Sequence, residues 1–406
     1  MDFDDTPEEA LFRAEARAWL TQHAPARGSA IAGQRDRHNA DPEADARHVV
    51  ACKAWQRDLY DGGWAGITWP KEFGGRGETS LQQSIFNQEQ SHFDVSSGLF
   101  AVGIGMVGPT LVVWGTEAQK RDHLDALLRG DEVWCQLFSE PGSGSDLAGL
   151  STRAVRDGDE WVVNGQKVWT SGAHHSDHAI LLARTDIDQP KHQGITYFLV
   201  DMSTPGIEVR PLRQINGIAH FNEVFLTDVR IPVANVVGTV GGGWSVAQTT
   251  LMNERTLIGG GGGIAFADLE RLMRETGGAR DPLVRQRMVD AFIRIQLLRY
   301  LGLRAQTAVS QGRQPGPETS VLKLAVSQHT AATGDLVLAL EGPNGMLMGE
   351  WAPDEGFWQQ YFLGQWSIRI GGGTDQIQRN IIGERSLGLP REKRADKGVP
   401  FSALAR

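Results

Sequence analysis

Three stretches of this 406-residue chain carry residue types suited to holding a ligand. The first is Gln136-Leu137-Phe138-Ser139-Glu140-Pro141-Gly142-Ser143-Gly144-Ser145-Asp146, which sets small hydroxyls and glycines just after a β-type run. Glycine lets backbone amides approach a ligand closely, and serine hydroxyls can bond the edge of a heteroaromatic ring. The same composition also makes a plain turn, and no strand–helix–strand unit surrounds it to make a dinucleotide fingerprint. The second is Lys167-Val168-Trp169-Thr170-Ser171-Gly172, where an indole followed by two hydroxyls could cover a flat ring and bond its edge, or fill a β core. The third is Gly371-Gly372-Gly373-Thr374-Asp375-Gln376, a glycine turn entering a helix with Thr374 placed as N-cap. Free amides there suit a carbonyl or phosphate oxygen; an ordinary cap is the alternative.

The elements that must position these residues change character twice. Residues 1 to about 130 read as helices, with Phe12, Ala16, Trp19 and Leu20 on one face and Leu81, Ile85, Phe86 and Phe93 on another. A loop rich in glycine and aromatics, residues 62–77, lies between them. From Val133 to about 240 the runs are short and β-rich. Trp161–Val163, Asn164-Gly165 and Lys167–Trp169 read as a hairpin with an Asn-Gly turn. Ala179–Ala183, Ile195–Val200 and Glu223–Ile231 read as further strands of an antiparallel barrel or sandwich. After the glycines at 241–243 the helical period returns, with Val284, Met288, Ile295 and Leu298 in one segment, 321–340 in another and 375–386 in a shorter one. The expected domains are 1–132, 133–240 and 241–406.

Composition narrows the function classes. A net charge of −9 disfavours a nucleic acid or anionic membrane as partner. No apolar run approaches the roughly 20 residues of a membrane span. The acidic N-terminus shows no signal peptide, so a cytoplasmic location is expected. Cys52 and Cys135 stand far apart and read as small buried hydrophobes. His174 and His175 adjoin without a spaced partner, and no metal-ligand spacing is visible, so no metal is expected.

Together and in order, these segments resemble the acyl-CoA dehydrogenase family. FSEPGSGSDLAG (138–149), NGQKVWTSG (164–172) and GGGTDQIQRNIIGER (371–385) are similar to its signatures, and GWAGITWPKEFGG (63–75) and GTEAQKRDHLDALLRGDE (115–132) also fit. The likeness runs from about residue 7 to 392. It implies an α+β fold: an N-terminal helical domain, a middle antiparallel β domain and a C-terminal four-helix bundle. It implies bound FAD, an acyl-CoA substrate, an electron-transferring flavoprotein as acceptor, and a homodimer or homotetramer.

By position, the resemblance implies that Gln136, Leu137, Phe138, Ser139, Gly144 and Ser145 line the flavin. Trp169 would cover a ring face with Thr170 beside it and Ser171 at N5, and Thr374 and Gln376 would bond the dinucleotide. Ser145, Arg255 and Gly373 would meet substrate. The family's Arg-x-x-Phe-Gly loop is replaced by Gly278-Ala279-Arg280-Asp281-Pro282, leaving Arg280 as the diphosphate ligand, and the turn at Gly342 matches only in part. Many members keep the catalytic Glu where this chain has Gly372. Some place it on the first helix of the C-terminal bundle, and there this chain has Asn253-Glu254-Arg255. Glu254 is therefore the expected base, an ion pair with a nearby Arg being its other reading, and the Gly372 amide is expected to hold the thioester oxygen. The glycines 259–263 are expected on the base-bearing helix, leaving room for a bulky, branched or ring-bearing acyl group. Oxidases, flavin monooxygenases and non-catalytic partner subunits share this fold and remain alternatives.

Overall fold

The computed structural model describes residues 5–26, 42–259, 264–310, 318–391, 393 and 396–404. Helices come first: α1 (Pro7–His23), α2 (Pro42–Asp61), α3 (Ser80–Gln90), α4 (Gly108–Trp114) and α5 (Glu117–Arg129). Strands follow: β1 (Trp134–Leu137), β2 (Arg153–Asp157), β3 (Glu160–Ser171), β4 (His178–Arg184), β5 (Ile195–Asp201), β6 (Ile207–Leu212), β7 (Phe221–Pro232) and β8 (Val236–Val237). The rest is helical: α6 (Gly243–Gly259), α7 (Phe266–Glu275), α8 (Pro282–Ser310), α9 (Glu318–Glu341), α10 (Phe357–Ile370) and α11 (Asp375–Ile381). Thr6, Thr79 and Thr116 each close a capping box, which sets the starts of α1, α3 and α5. The chain divides into two compact units, one of residues 49–77, 96–254 and 392–406, the other of 1–48, 78–95 and 255–391.

In the first unit the strands pair in the order β6-β7-β3-β2-β4-β5-β8, with β1 added on β4. The unbroken apolar run of β4 follows from burial on both faces. Ile180 and Leu182 join Leu111, Leu124, Leu127 and Leu128 of α4 and α5 in one core. Ala179, Leu181 and Ala183 point the other way, into a core with Val163, Val224, Leu226 and Val229 of β3 and β7. Most pairings are antiparallel, but β1 runs parallel to β4, and Arg153 bridges to Arg184 in parallel.

The expected hairpin at Asn164-Gly165 is corrected. β3 passes straight through both residues, and the β2–β3 turn falls at Gly158-Asp159. The Asn-Gly pair instead marks an irregularity in the β3–β7 register. The Asn164 side chain exchanges two hydrogen bonds with Asp228, at 3.0 and 2.9 Å, and a Cβ on Gly165 would collide with Thr152. Phe93 likewise lies beyond the end of α3 rather than on it.

In the second unit, Glu89 of α3 is 2% exposed and sits between Arg13 and Arg17 of α1, accepting bonds of 2.7–3.0 Å. Met288, Leu336, Val337, Leu340 and Trp358 form the core shared by α8, α9 and α10. α6 is described as far as Gly259, the first of the five glycines, and Gly260–Gly263 lie outside the described residues. No described helix is long and apolar enough to cross a membrane.

The end of α9 holds one unusual carboxyl. Glu341 is buried and accepts from Gln359 Nε2 at 2.7 Å. Burial, and secondarily the nearby Asp354 carboxylate, pushes its pKa up to about 7. The folded state therefore holds this proton more tightly than the unfolded chain does. That contribution is complete below the ordinary carboxyl value and is lost as pH rises through about 7. Thermal unfolding of wild type and Glu341→Gln from pH 5 to 8.5 checks this: the wild-type midpoint should fall relative to the variant's as pH rises from 5 to about 7 and run parallel to it above, and curves parallel throughout would contradict it.

Candidate flavin and thioester site

The Ser139 segment and the Trp169 strand meet in the first unit. Val168 N–H donates to the Ser139 carbonyl at 2.9 Å. Beneath that contact Lys167, with no exposure, donates from Nζ to the Phe138 carbonyl at 3.0 Å and to Glu140 Oε1 at 2.8 Å. Glu140 also accepts from the Ser151 and Thr152 amides at 2.6 and 2.9 Å. Burial alone would raise the Glu140 carboxyl, but Lys167 and these donors hold it below its ordinary value. Both ions lie inside the recognised motifs, yet their pairing was not read from sequence. The available signal was a lysine flanked by residues of a buried strand.

Above the pair the backbone is strained. Trp169 adopts φ +61°, a left-handed value that costs an indole-bearing residue on the order of 1–3 kcal/mol. It sits where the β3–β7 register shifts between Lys167 and Thr170. The result is an indole 57% exposed, held edge-on against Phe221 with ring centroids 5.7 Å apart. Ser171 shares that face and is half-buried. Thr170, expected beside the ring, has its side chain turned into the domain by strand alternation, where it is 1% exposed and its hydroxyl has no hydrogen-bond partner among the described residues.

On the motif's other arm, Leu137 and Phe138 are buried, Gln136 and Ser139 half-buried, and Gly144 and Ser145 exposed. Glu140 and Ser143 exchange backbone bonds of 3.0 Å, closing a tight turn. Space beside Gly142 and Gly144 is open for 4 Å around a notional Cβ. An exposed, fixed indole, a serine on the same face and an open glycine turn fit a flat heteroaromatic group.

Glu254 belongs to the same unit. On α6 it follows Val246 and Thr250 at four-residue intervals, and both of those are fully buried. Thr250 Oγ1 lies 2.9 Å from Thr110 Oγ1 and 3.1 Å from Tyr197 Oη, and Tyr197 packs edge-on against Phe138 at 5.9 Å. Glu254 thus extends the buried face of α6 by one turn and is itself half-buried. The Arg255 side chain lies outside the described residues.

The second unit carries the glycine turn. Gly372 and Gly373 take φ of +63° and +89°, suited to glycine and strained for a Glu at either place. Their carbonyls are anchored inward: Lys323 Nζ donates to Gly373 O at 2.6 Å, and Gln378 Nε2 to Gly372 O at 2.9 Å. Thr374 caps α11, accepting from Ile377 N at 3.2 Å, and Ser327 Oγ bonds Asp375 at 2.6 Å. Lys323 and Ser327 were missed in the sequence, although a lysine between Leu322 and Leu324 signals a buried cation with a task. Gln376 and Arg280 are exposed, and Gly342 opens a short helical turn at φ +57°. Cys52 and Cys135 are buried and not disulfide-bonded, and burial pushes the Cys135 thiol up to about 12.

Comparison with known proteins follows the same order of parts. The acyl-CoA dehydrogenase N-terminal, middle and C-terminal domain families match residues 6–131, 135–229 and 241–387. A Mycobacterium tuberculosis protein described as acyl-CoA dehydrogenase IpdE1 is 39% identical over 385 residues, covering 94% of this chain and 98% of its own. The chain belongs to the acyl-CoA dehydrogenase family. Among solved structures of such proteins, one described as the Tcur3481-Tcur3483 steroid ACAD is 30% identical, with a TM-score of 0.83 over 97% of this chain and 100% of its own. The ChsE4-ChsE5 complex from Mycobacterium tuberculosis is 27% identical, with a TM-score of 0.78 over 97% and 100%. This acyl-CoA dehydrogenase is therefore an oxidoreductase of a flavin-dependent family.

The Lys167–Glu140 pair gives this enzyme a stability test. Lys167→Met leaves a buried carboxylate without its cation and should cost about 3–5 kcal/mol in denaturant unfolding. Adding Glu140→Gln should restore part of that loss, and a single-variant cost under about 1 kcal/mol would contradict the assignment.

Proposed function

We propose that this enzyme oxidises a ring-bearing acyl-CoA to its α,β-unsaturated thioester, using FAD and Glu254 as base. The observation carrying the reading is the exposed Trp169 indole, locked in a strained backbone with Ser171 on the same face. FAD, when bound, would supply the acceptor for the hydride leaving Cβ. Trp169 would cover a ring face, Ser171 would bond the ring edge, and Gln136, Ser139 and Ser145 would supply polar groups along it. Thr374, Gln376 and Arg280 serve the dinucleotide. Glu254, at the end of the buried face of α6, removes the α-proton. The Gly372 amide donates to the thioester oxygen, lowering the cost of charge that develops there as the proton leaves. Electron-transferring flavoprotein is the proposed acceptor.

The acyl group follows from two supports. The 30%-identical solved relative is described as a steroid ACAD. In the sequence, five residues without side chains, Gly259 to Gly263, also follow soon after the proposed base. A second reading has this chain working beside an unlike partner, since one solved relative is described as the ChsE4-ChsE5 complex.

The purified chain should be yellow and release FAD on denaturation. A colourless chain that gains flavin only with a second protein would favour the paired reading. Glu254→Gln should keep its flavin while its reduction by substrate in stopped flow slows by about 10²–10⁴-fold, and near-normal reduction would place the base elsewhere. Steroid-derived thioesters should exceed butyryl-CoA in kcat/KM by about tenfold or more, and a butyryl preference would overturn the substrate assignment.

A further inference from the structure

In the first unit, beside the start of β1, three ligand-type side chains converge that no sequence spacing revealed. They are His123 on α5, Glu132 in the link to β1, and His178 opening β4. Glu132 is the hub. His123 Nδ1 lies 3.1 Å from each of its oxygens, and His178 Nε2 lies 3.6 Å from Oε1. The three side chains are 16–24% exposed, so the cluster is recessed yet reachable from solvent.

Two features go beyond an ordinary ion pair. The Trp134 indole N–H donates to Glu132 Oε2 at 2.9 Å, which fixes how the carboxylate faces the rings. The same indole packs against both imidazoles, edge-on to His123 at 5.1 Å and tilted over His178 at 4.9 Å. Backbone bonds hold the frame: His178 and Asp177 amides both donate to the Val133 carbonyl, at 3.1 and 2.8 Å, and Trp134 pairs with His178 in the β1–β4 ladder. The ligand orientation is thus set by neighbours, as outer contacts set it in built metal sites.

We propose that His123, Glu132 and His178 bind one divalent transition ion of the zinc class. Imidazole and carboxylate suit such an ion, with metal–ligand bonds of about 2.0–2.2 Å. Two ligands at that distance and a tetrahedral angle lie about 3.4 Å apart. The observed nitrogen–oxygen separations of 3.1 and 3.6 Å bracket that value, and all three ligand atoms fall within 4.8 Å of one another. Three protein ligands leave a fourth position for water. The bound ion ties α5 to the β1–β4 pair, and β1 leads directly into Gln136–Ser139. The site stands apart from the dehydrogenation chemistry, so its test does not depend on that reading.

The test uses the full purified chain, stripped with chelator and titrated with Zn²⁺ by calorimetry, with thermal unfolding in parallel. One ion should bind with these three residues as ligands and raise Tm. His178→Asn and Glu132→Gln should each weaken that binding at least about tenfold and remove the Tm rise, whereas His92→Asn, away from the cluster, should change neither. If a variant unfolds without metal, His123→Gln and His178→Gln serve as milder substitutes read the same way. No binding by wild type, or binding that survives all the cluster variants, overturns the proposal.

Discussion

The buried Lys167–Glu140 pair is the constraint on which the recognised face of the β unit depends. Two charges removed from water are costly unless hydrogen bonds replace the lost hydration. Glu140 takes two amides and an ammonium, and Lys167 spends a further proton on the Phe138 carbonyl. One ion pair thereby fixes where the glycine–serine turn leaves β1 and where β3 departs from its ladder. The strained Trp169 can persist because Lys167 and Val168 hold the chain before it and Asn222 Nδ2 donates to the Thr170 carbonyl after it at 3.1 Å. The position of the indole is a consequence of the pair below it.

A parallel arrangement holds the glycine turn in the other unit. Lys323 and Gln378 claim the carbonyls of Gly373 and Gly372, and Ser327 and Thr374 fix the start of α11. Each signature is thus anchored by a lysine from a neighbouring strand or helix. The left-handed φ of Gly372 also bears on the chemistry. A Glu at position 372 would need a strained backbone, whereas Glu254, the proposed base, lies in the regular helix α6.

Much of this was legible in the sequence. The change from helix to strand near Val133, the strands at Ala179–Ala183 and Ile195–Val200, and the Thr374 cap follow from periodicity and cap chemistry, which are local. Family likeness supplied what local rules leave open, that three weak segments belong to one activity. The misreadings share a cause. Asn164-Gly165 has the composition of a turn, but Asp228 on another strand captures the Asn side chain and keeps the strand running. Phe93 fits the helical spacing of Leu81, Ile85 and Phe86, but α3 stops at Gln90. Lys167, Glu140, Lys323 and the His123–Glu132–His178 group act through partners far away in sequence, and spacing along one chain carries no record of them.

The central claim is that the Trp169 face carries a flavin that accepts a hydride from an acyl-CoA. Anaerobic mixing of the purified protein with a ring-bearing acyl-CoA, followed at once by flavin absorbance and by product analysis, tests it most directly. The account predicts bleaching of the oxidised flavin with one α,β-unsaturated thioester formed per flavin. A flavin that stays oxidised across branched, straight and ring-bearing thioesters, or bleaching without the unsaturated product, would contradict it.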